Sequence, residues 1–156
     1  MKLKTWLTAA LLAIATTGMI VGCDKDDDDN DDDEIFSLSG NATGAKEIPA
    51  VTTNATGTLT GSLNTTARTL TYSVNWTGLS GNATAAHFHA PASTSQNAGP
   101  MITLTITNNA ATGMASGTIT NLHDTTIAHF KNGMVYYNIH TAANPNGEIR
   151  SQVVLD

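Results

Sequence analysis

Eight consecutive residues, Thr69-Leu70-Thr71-Tyr72-Ser73-Val74-Asn75-Trp76, carry an apolar side chain at every second position and a polar one between. Successive side chains of an extended strand point to opposite faces, so this spacing buries one face and wets the other; on a helix it would scatter the apolar residues around the axis. An antiparallel sheet with one solvated face is what such a segment builds. The same alternation recurs in Thr58–Leu63, in Met101–Thr107 (Ile102, Leu104, Ile106) and in Val135–His140 (Val135, Tyr137, Ile139). Phe36–Ser39, Thr84–His89, Gly113–Thr120 and Glu148–Leu155 are further candidates, set between Gly- and Asn-rich turns. About eight strands of this size predict an all-β domain, a sandwich or a small barrel. One segment departs from the rhythm: His123–Gly133 offers Asp124 as an N-cap, Ile127 and Phe130 three apart, and a Gly exit. It predicts one short helix packed across an end of the sandwich.

The chain's formal charge of -6 is misleading until it is counted by region. Residues 24–34, DKDDDDNDDDE, hold nine of the thirteen acids, while everything from Ile35 onward has four acids and four bases. A neutral folded part without a basic surplus argues against nucleic acid as a partner. The acidic block repels itself, has nothing apolar to bury, and reaches at most about 36 Å at ~3.3 Å per residue. It reads as a solvated spacer, since an EF-hand loop needs a Gly that this run lacks. Before it, residues 1–22 combine Lys2 and Lys4, an uncharged run from Trp6 to Val21, and small residues ahead of the chain's single cysteine. That is the layout of a secretory signal. Ile20-Val21-Gly22-Cys23 resembles a bacterial lipobox, which implies a lipidated Cys23 as the mature N-terminus and a membrane as its partner. Asp24-Lys25-Asp26-Asp27 is similar to the export signal that sends some lipoproteins to the outer face of the outer membrane. The expected organisation is therefore 1–22 signal peptide, 23–34 lipidated Cys and spacer, and 35–156 the folded domain. With no second cysteine, no internal disulfide supports the fold.

The chemistry concentrates in Ala85-Ala86-His87-Phe88-His89-Ala90-Pro91. If Phe88 points into the core, His87 and His89 both point outward on one face, about 7 Å apart at the backbone. By the same test His140 faces outward beyond Val135, Tyr137 and Ile139, and Glu148, Arg150 and Gln152 face outward around Ile149 and Val153. Three chemistries fit this set. His87, His89 and His140 can bind a borderline metal, copper or zinc, for which imidazole is a good ligand. The same histidines can form a hydrogen-bonded network with Glu148 and Arg150 that pins loops to the sandwich. A general acid–base site is the third, although no nucleophile motif accompanies it. Glu47, Asp124 and Glu148 are the supply of carboxylates for a glycan hydrolase, which ranks last. His123 and His129, in the helical segment, read as surface residues.

Seven ordered blocks carry a family resemblance: Ala45-Lys46-Glu47-Ile48-Pro49-Ala50-Val51, Gly57-Thr58-Leu59-Thr60-Gly61, Leu70-Thr71-Tyr72-Ser73-Val74, Gly78-Leu79-Ser80, the His87–His89 block, Tyr137-Asn138-Ile139-His140-Thr141, and Asn144-Pro145-Asn146-Gly147-Glu148-Ile149-Arg150-Ser151-Gln152. Over residues 36–155 they resemble the CHRD domain, the module named after chordin and also found alone in bacterial secreted proteins. The resemblance implies an immunoglobulin-like, Greek-key β-sandwich. It also implies a binding or structural module, with a protein or glycan as ligand, rather than an established enzyme. By position it makes His87, His89, His140, Glu148 and Arg150 the characteristic polar residues. A second similarity is to the copper/zinc superoxide dismutase sandwich, whose H-x-H strand, later copper-binding His and C-terminal Arg occur here in the same order as His87, His89, His140 and Arg150. It implies, as an alternative, a small metalloenzyme. Residues 90–100 contain no His or Asp, and a disulfide, a zinc loop and a fourth copper ligand are missing. Glu148 and Arg150 are expected to sit behind the three histidines and orient them.

Overall fold

The computed structural model describes residues 34–156, so the signal segment, Cys23 and the spacer up to residue 33 lie outside the described residues. Ten strands and one α-helix follow in order: β1 (Ile35–Thr43), β2 (Thr56–Asn64), β3 (Thr69–Thr77), β4 (Ala83–His89), β5 (Pro100–Thr103), β6 (Ile106–Asn108), β7 (Gly113–Ile119), α1 (Asp124–Lys131), β8 (Tyr136–Thr141), β9 (Ile149–Gln152) and β10 (Val154–Leu155). They form one curled antiparallel sheet in the order β5-β4-β8-β9-β1-β2-β3-β7-β6, with β10 on β1. The curl brings its two halves face to face around a single core, the all-β, sandwich-like architecture that the alternation implies. Across it, Phe88 of β4 meets Tyr72 of β3 edge-on with ring centroids 5.8 Å apart. Tyr137 of β8 donates its hydroxyl to the carbonyls of Gly40 in β1 and Gly57 in β2.

The alternating strand β3 behaves as its sequence dictates: Leu70, Tyr72, Val74 and Trp76 are buried, and Thr71 and Asn75 are exposed. Ten strands replace the expected eight because two predicted strands are each broken once. Met101–Thr107 begins on β4 and ends on β7. At the crossing Leu104 N donates to Ala86 O at 2.8 Å, Thr105 O accepts from Ser116 N at 3.0 Å, and Thr105 N donates to the Tyr72 hydroxyl at 2.9 Å. One segment thus closes the gap between the two sheet edges. Glu148–Leu155 breaks at Val153, whose N–H turns to Val135 O, after which β10 pairs with β1. Helix α1 buries Ile127 and Phe130 as its spacing requires. Asp124 is its first residue and not its cap; His123 occupies that position, and the Asp124 carboxylate pairs with Arg68 at 2.6 Å. Glu34, the last residue of the acidic run, is tied down by Thr65 and Lys131.

Phe88 is fully buried between Tyr72 and Phe130, whose ring centroid lies 5.5 Å away. Phe88→Ala should cost about 3–5 kcal/mol of unfolding free energy in a urea titration. A loss below about 1 kcal/mol would mean that the two halves do not depend on this contact.

Candidate metal centre

The strand register assembles the site. In the β4–β8 pair, Ala85 faces His140, His87 faces Asn138 and His89 faces Tyr136. These six residues share the outer side of the two strands, and on such a surface diagonal neighbours are within reach of long side chains. The diagonals are the contacts that form: His87 Nδ1 lies 3.0 Å from His140 Nε2, and His89 Nε2 lies 2.8 Å from Asn138 Oδ1. The small side chain of Ala85 leaves the space opposite His140 open. One ring nitrogen from each of His87, His89 and His140 falls within 4.8 Å of the others. Ligands around a tetrahedral ion at about 2.0–2.1 Å stand roughly 3.3 Å apart. The His87–His140 pair is already near that spacing.

Alternation places these side chains on the outside of the sheet, but not in water. His89 and His140 are 6% and 8% exposed, and every residue of β8 is buried on both faces. Two loops cover them. Residues 92–98 are held by Gln152, which donates to Ala92 O, and by Arg150, whose guanidinium donates to Asn97 Oδ1 at 2.7 Å, Gln96 O at 2.7 Å and Ser93 O at 3.2 Å. Residues 142–147 are held by Asn138 Nδ2 donating to Asn146 O and by His140 Nδ1 donating to Pro145 O. Gly147, at φ +124°, is needed there, since any side chain would strike Glu47 and Asn138.

The same loops settle the chemistry of the rings. His89 Nδ1 faces Ala98 O and His140 Nδ1 faces Pro145 O, each at 2.9 Å, and a carbonyl can only accept. Both Nδ1 atoms therefore carry a proton, and a neutral ring keeps its lone pair on Nε2. Burial lowers all three histidine pKa values, that of His87 to about 4 with further repulsion from His140 and His89. At neutral pH the site holds uncharged imidazoles, the form a metal requires.

Glu148 and Arg150, expected beside the histidines, bond elsewhere. Burial would raise the Glu148 carboxyl, but donors from Ser80, Thr141 and Thr53 outweigh it and hold the pKa below its usual value. Its oxygens accept from Ser80 N, Ser80 Oγ, Thr141 Oγ1 and Thr53 Oγ1 at 2.6–2.9 Å. Arg150 lies with Cζ 3.5 Å from the centroid of Tyr136, and His89 stacks parallel on the same ring at 4.6 Å. Because β8 runs between β4 and β9, the tyrosine ring stands between Arg150 and His89. The groups that orient the imidazoles are instead Asn138 and the carbonyls of Ala98 and Pro145. Period two, counted back from His140, would have found Asn138 and Tyr136; no sequence signal marks the carbonyls. His123 is exposed and His129 half-buried on α1, and neither joins the cluster.

The CHRD domain family model matches residues 38–153, which run from within β1 to the end of β9 and include all three histidines. The chain belongs to the CHRD domain family. No curated protein and no solved structure matches it. Family membership makes the domain a binding or structural module, and the cluster on β4 and β8 is its most concentrated set of metal-ligating side chains among the described residues.

A neutral His87 in the fold and a charged one in the unfolded chain bind unequal numbers of protons, so its contribution to stability is present above pH 6.5 and is lost as pH falls through about 4; burial lowers His89 and His140 too, with the same sign. Glu47 has the opposite sign: burial raises its pKa to about 7, so its contribution is present below pH 4.5 and is lost as pH rises through 7. Between pH 4.5 and 6.5 the two oppose one another. Unfolding free energies from urea titrations across this window should therefore rise more steeply with pH in Glu47→Gln than in the parent; parallel curves would contradict both assignments.

Proposed function

We propose that this chain is a membrane-anchored binding module whose CHRD domain holds one copper or zinc ion on His87, His89 and His140. The observation that carries this reading is a contact with no proton to share. Asn138 Nδ2 is committed to Asn146 O, which turns Oδ1 toward His89 Nε2 at 2.8 Å, while the Nδ1 proton of His89 is committed to Ala98 O. In a neutral ring Nε2 is an acceptor, so two acceptors face each other in a buried place. A cation beside them, also taking the lone pairs of His140 Nε2 and His87 Nδ1, satisfies all of them together. Asn138 Oδ1 then contributes an oxygen on the same ion. The carbonyls of Ala98 and Pro145 act as the outer hydrogen-bond acceptors that metal-binding imidazoles ordinarily have.

The full chain should take up one copper or zinc ion per molecule by mass spectrometry and calorimetry. A His87→Ala/His89→Ala/His140→Ala variant should take up none at the same micromolar concentration. Equal uptake by both proteins, which the acidic run by itself would produce, or uptake by neither, sinks the metal assignment and leaves the hydrogen-bonded network. One observation favours a second reading: His87 is the least buried of the three, so an ion there is reachable from solvent. That suits a small redox metalloenzyme of the superoxide dismutase type. Arg150, committed to the 92–98 loop, is not free to guide an anion to it. Superoxide dismutation by the loaded protein, absent in the triple variant, separates catalysis from binding.

The anchor in this reading is lipid on Cys23, with the 24–34 spacer holding the domain off the outer face of the outer membrane. Several acyl chains at about 0.8 kcal/mol per buried methylene make such attachment effectively permanent. Cys23→Ser should move the protein from the membrane fraction to the soluble one. In intact cells the parent should be cleaved by added protease; protection would place it on the inner side instead.

A further inference from the structure

Glu47 is 7% exposed, and its Oε1 is one of two buried side-chain atoms without a hydrogen-bond partner among the described residues. Such atoms are scarce in folded proteins and call for a physical reason. Strand register brings this one to the histidines. Thr43 of β1 pairs with Arg150 of β9, Arg150 with Asn138 of β8, and Asn138 with His87 of β4, so one row crosses four strands. Just past Thr43 the turn Gly44–Lys46 closes with Glu47 N donating to Gly44 O at 3.1 Å. The Glu47 carboxyl ends beside the Asn138 amide: a Cβ on Gly147 would meet Glu47 Oε1 and Asn138 Nδ2 together.

Asn138 has one donor to spare. Its Nδ2 carries two N–H groups and is hydrogen-bonded to one acceptor, Asn146 O at 3.3 Å, while Oδ1 faces His89 Nε2 at 2.8 Å. The amide has Glu47 Oε1 for a neighbour, and both residues are shut off from water, Asn138 being 1% exposed. An ion held by three uncharged imidazoles and an amide oxygen leaves its charge unbalanced in a buried place, which is costly without an anion close by. Glu47 and Glu148 are the buried carboxyls among the described residues. Glu148 already accepts from Ser80, Thr141 and Thr53, whereas Glu47 keeps an oxygen unused. Burial disfavours charge on Glu47, and Arg150, Asn138 and the Ile48 backbone N–H favour it. A cation on Oδ1 draws electron density from the amide nitrogen and makes its N–H a stronger donor, so ion and carboxylate pull the amide in one direction.

We propose that Glu47 is a positioning residue of the metal centre: its carboxylate accepts the second Nδ2 hydrogen bond of Asn138 and so holds Oδ1 on the ion bound by His87, His89 and His140. The proposal rests on the metal reading of that cluster and adds to it the anion that balances the charge.

The test is the copper and zinc affinity of the full chain at one pH, measured by competition with a chelator of known affinity. The proteins compared are the parent, Glu47→Gln, Glu47→Ala, Asn138→Ala and the Glu47→Ala/Asn138→Ala pair, with the triple histidine variant marking uptake by the acidic run. Glu47→Ala should weaken binding by about 10–100-fold, the usual effect of losing an outer partner of a metal ligand. Glu47→Gln, which keeps an oxygen acceptor, should be weakened less. In the Asn138→Ala background Glu47→Ala should change affinity by less than about two-fold, because a residue that acts through Asn138 has nothing left to act on. A spectroscopic readout separates positioning from stabilisation: zinc should move the Asn138 side-chain amide protons downfield in the parent, and less in Glu47→Gln. If an alanine variant does not fold, the Glu47→Gln affinity and this NMR shift decide between the outcomes. A parent that loads an ion no more than about two-fold tighter than its Glu47 variants, or an equal loss with and without Asn138, overturns the proposal and leaves the metal reading standing. Uptake by the parent no greater than by the triple histidine variant overturns both.

Discussion

Arg150 is the interaction on which the functional half of the molecule depends. A guanidinium 1% exposed is costly to bury unless its donors are met. Here they are met by the 93–97 loop on one side while the cation lies flat on Tyr136 on the other. That arrangement binds the loop to the outside of the sheet, and the bound loop makes the outer face of β8 an interior. The histidines lose water because of it. The depressed pKa of His89 and its fixed tautomer go with this cover, while the tautomer of His140 is set by Pro145 O of the 142–147 loop.

Glu148 does for the other side of the site what Arg150 does for the first. Its fully buried carboxylate gathers donors from three separate stretches of chain, at Thr53, Ser80 and Thr141. A charge removed from water is tolerable when such donors surround it, and it then fixes where they sit. Asn138 lies between these two anchors, one amide end on the 142–147 loop and the other on His89. Arg150 thus shapes the cluster at a distance, through the loop it holds, and Glu148 fixes the end of β8 at Thr141, next to His140; neither is hydrogen-bonded to an imidazole.

How much of this was legible in the sequence differs residue by residue. The period-two pattern of Leu70 to Trp76 was enough for β3, because alternation in a strand is a local steric property. Inward Phe88 and outward His87 and His89 followed from the same rule, as did His140. The break at Leu104–Thr105 was not legible, since it depends on how far apart two sheet edges come to lie. In the sequence Glu47 stood only as one of three carboxylates available to a glycan hydrolase; its burial and raised pKa come from how the chain folds around it. The roles of the Ala98 and Pro145 carbonyls carried no signal, because every residue has a carbonyl and only the path of a loop aims it.

The amino-acid sequence alone determined that this is an all-β domain of the CHRD family, and which face of each strand its histidines occupy. Side-chain alternation and motif order are written along the chain and need no partner to be read. Only the tertiary structure decided that β4 lies beside β8 with Ala85 opposite His140, so that three separate imidazoles become one cluster. It alone decided that the outer face is roofed by loops, because burial and hydrogen-bond partners are set by segments up to a hundred residues apart, such as Thr53 and Glu148. A sequence states which groups are present; the pairing of strands and the cover over them decide which of those groups must find one another in the absence of water.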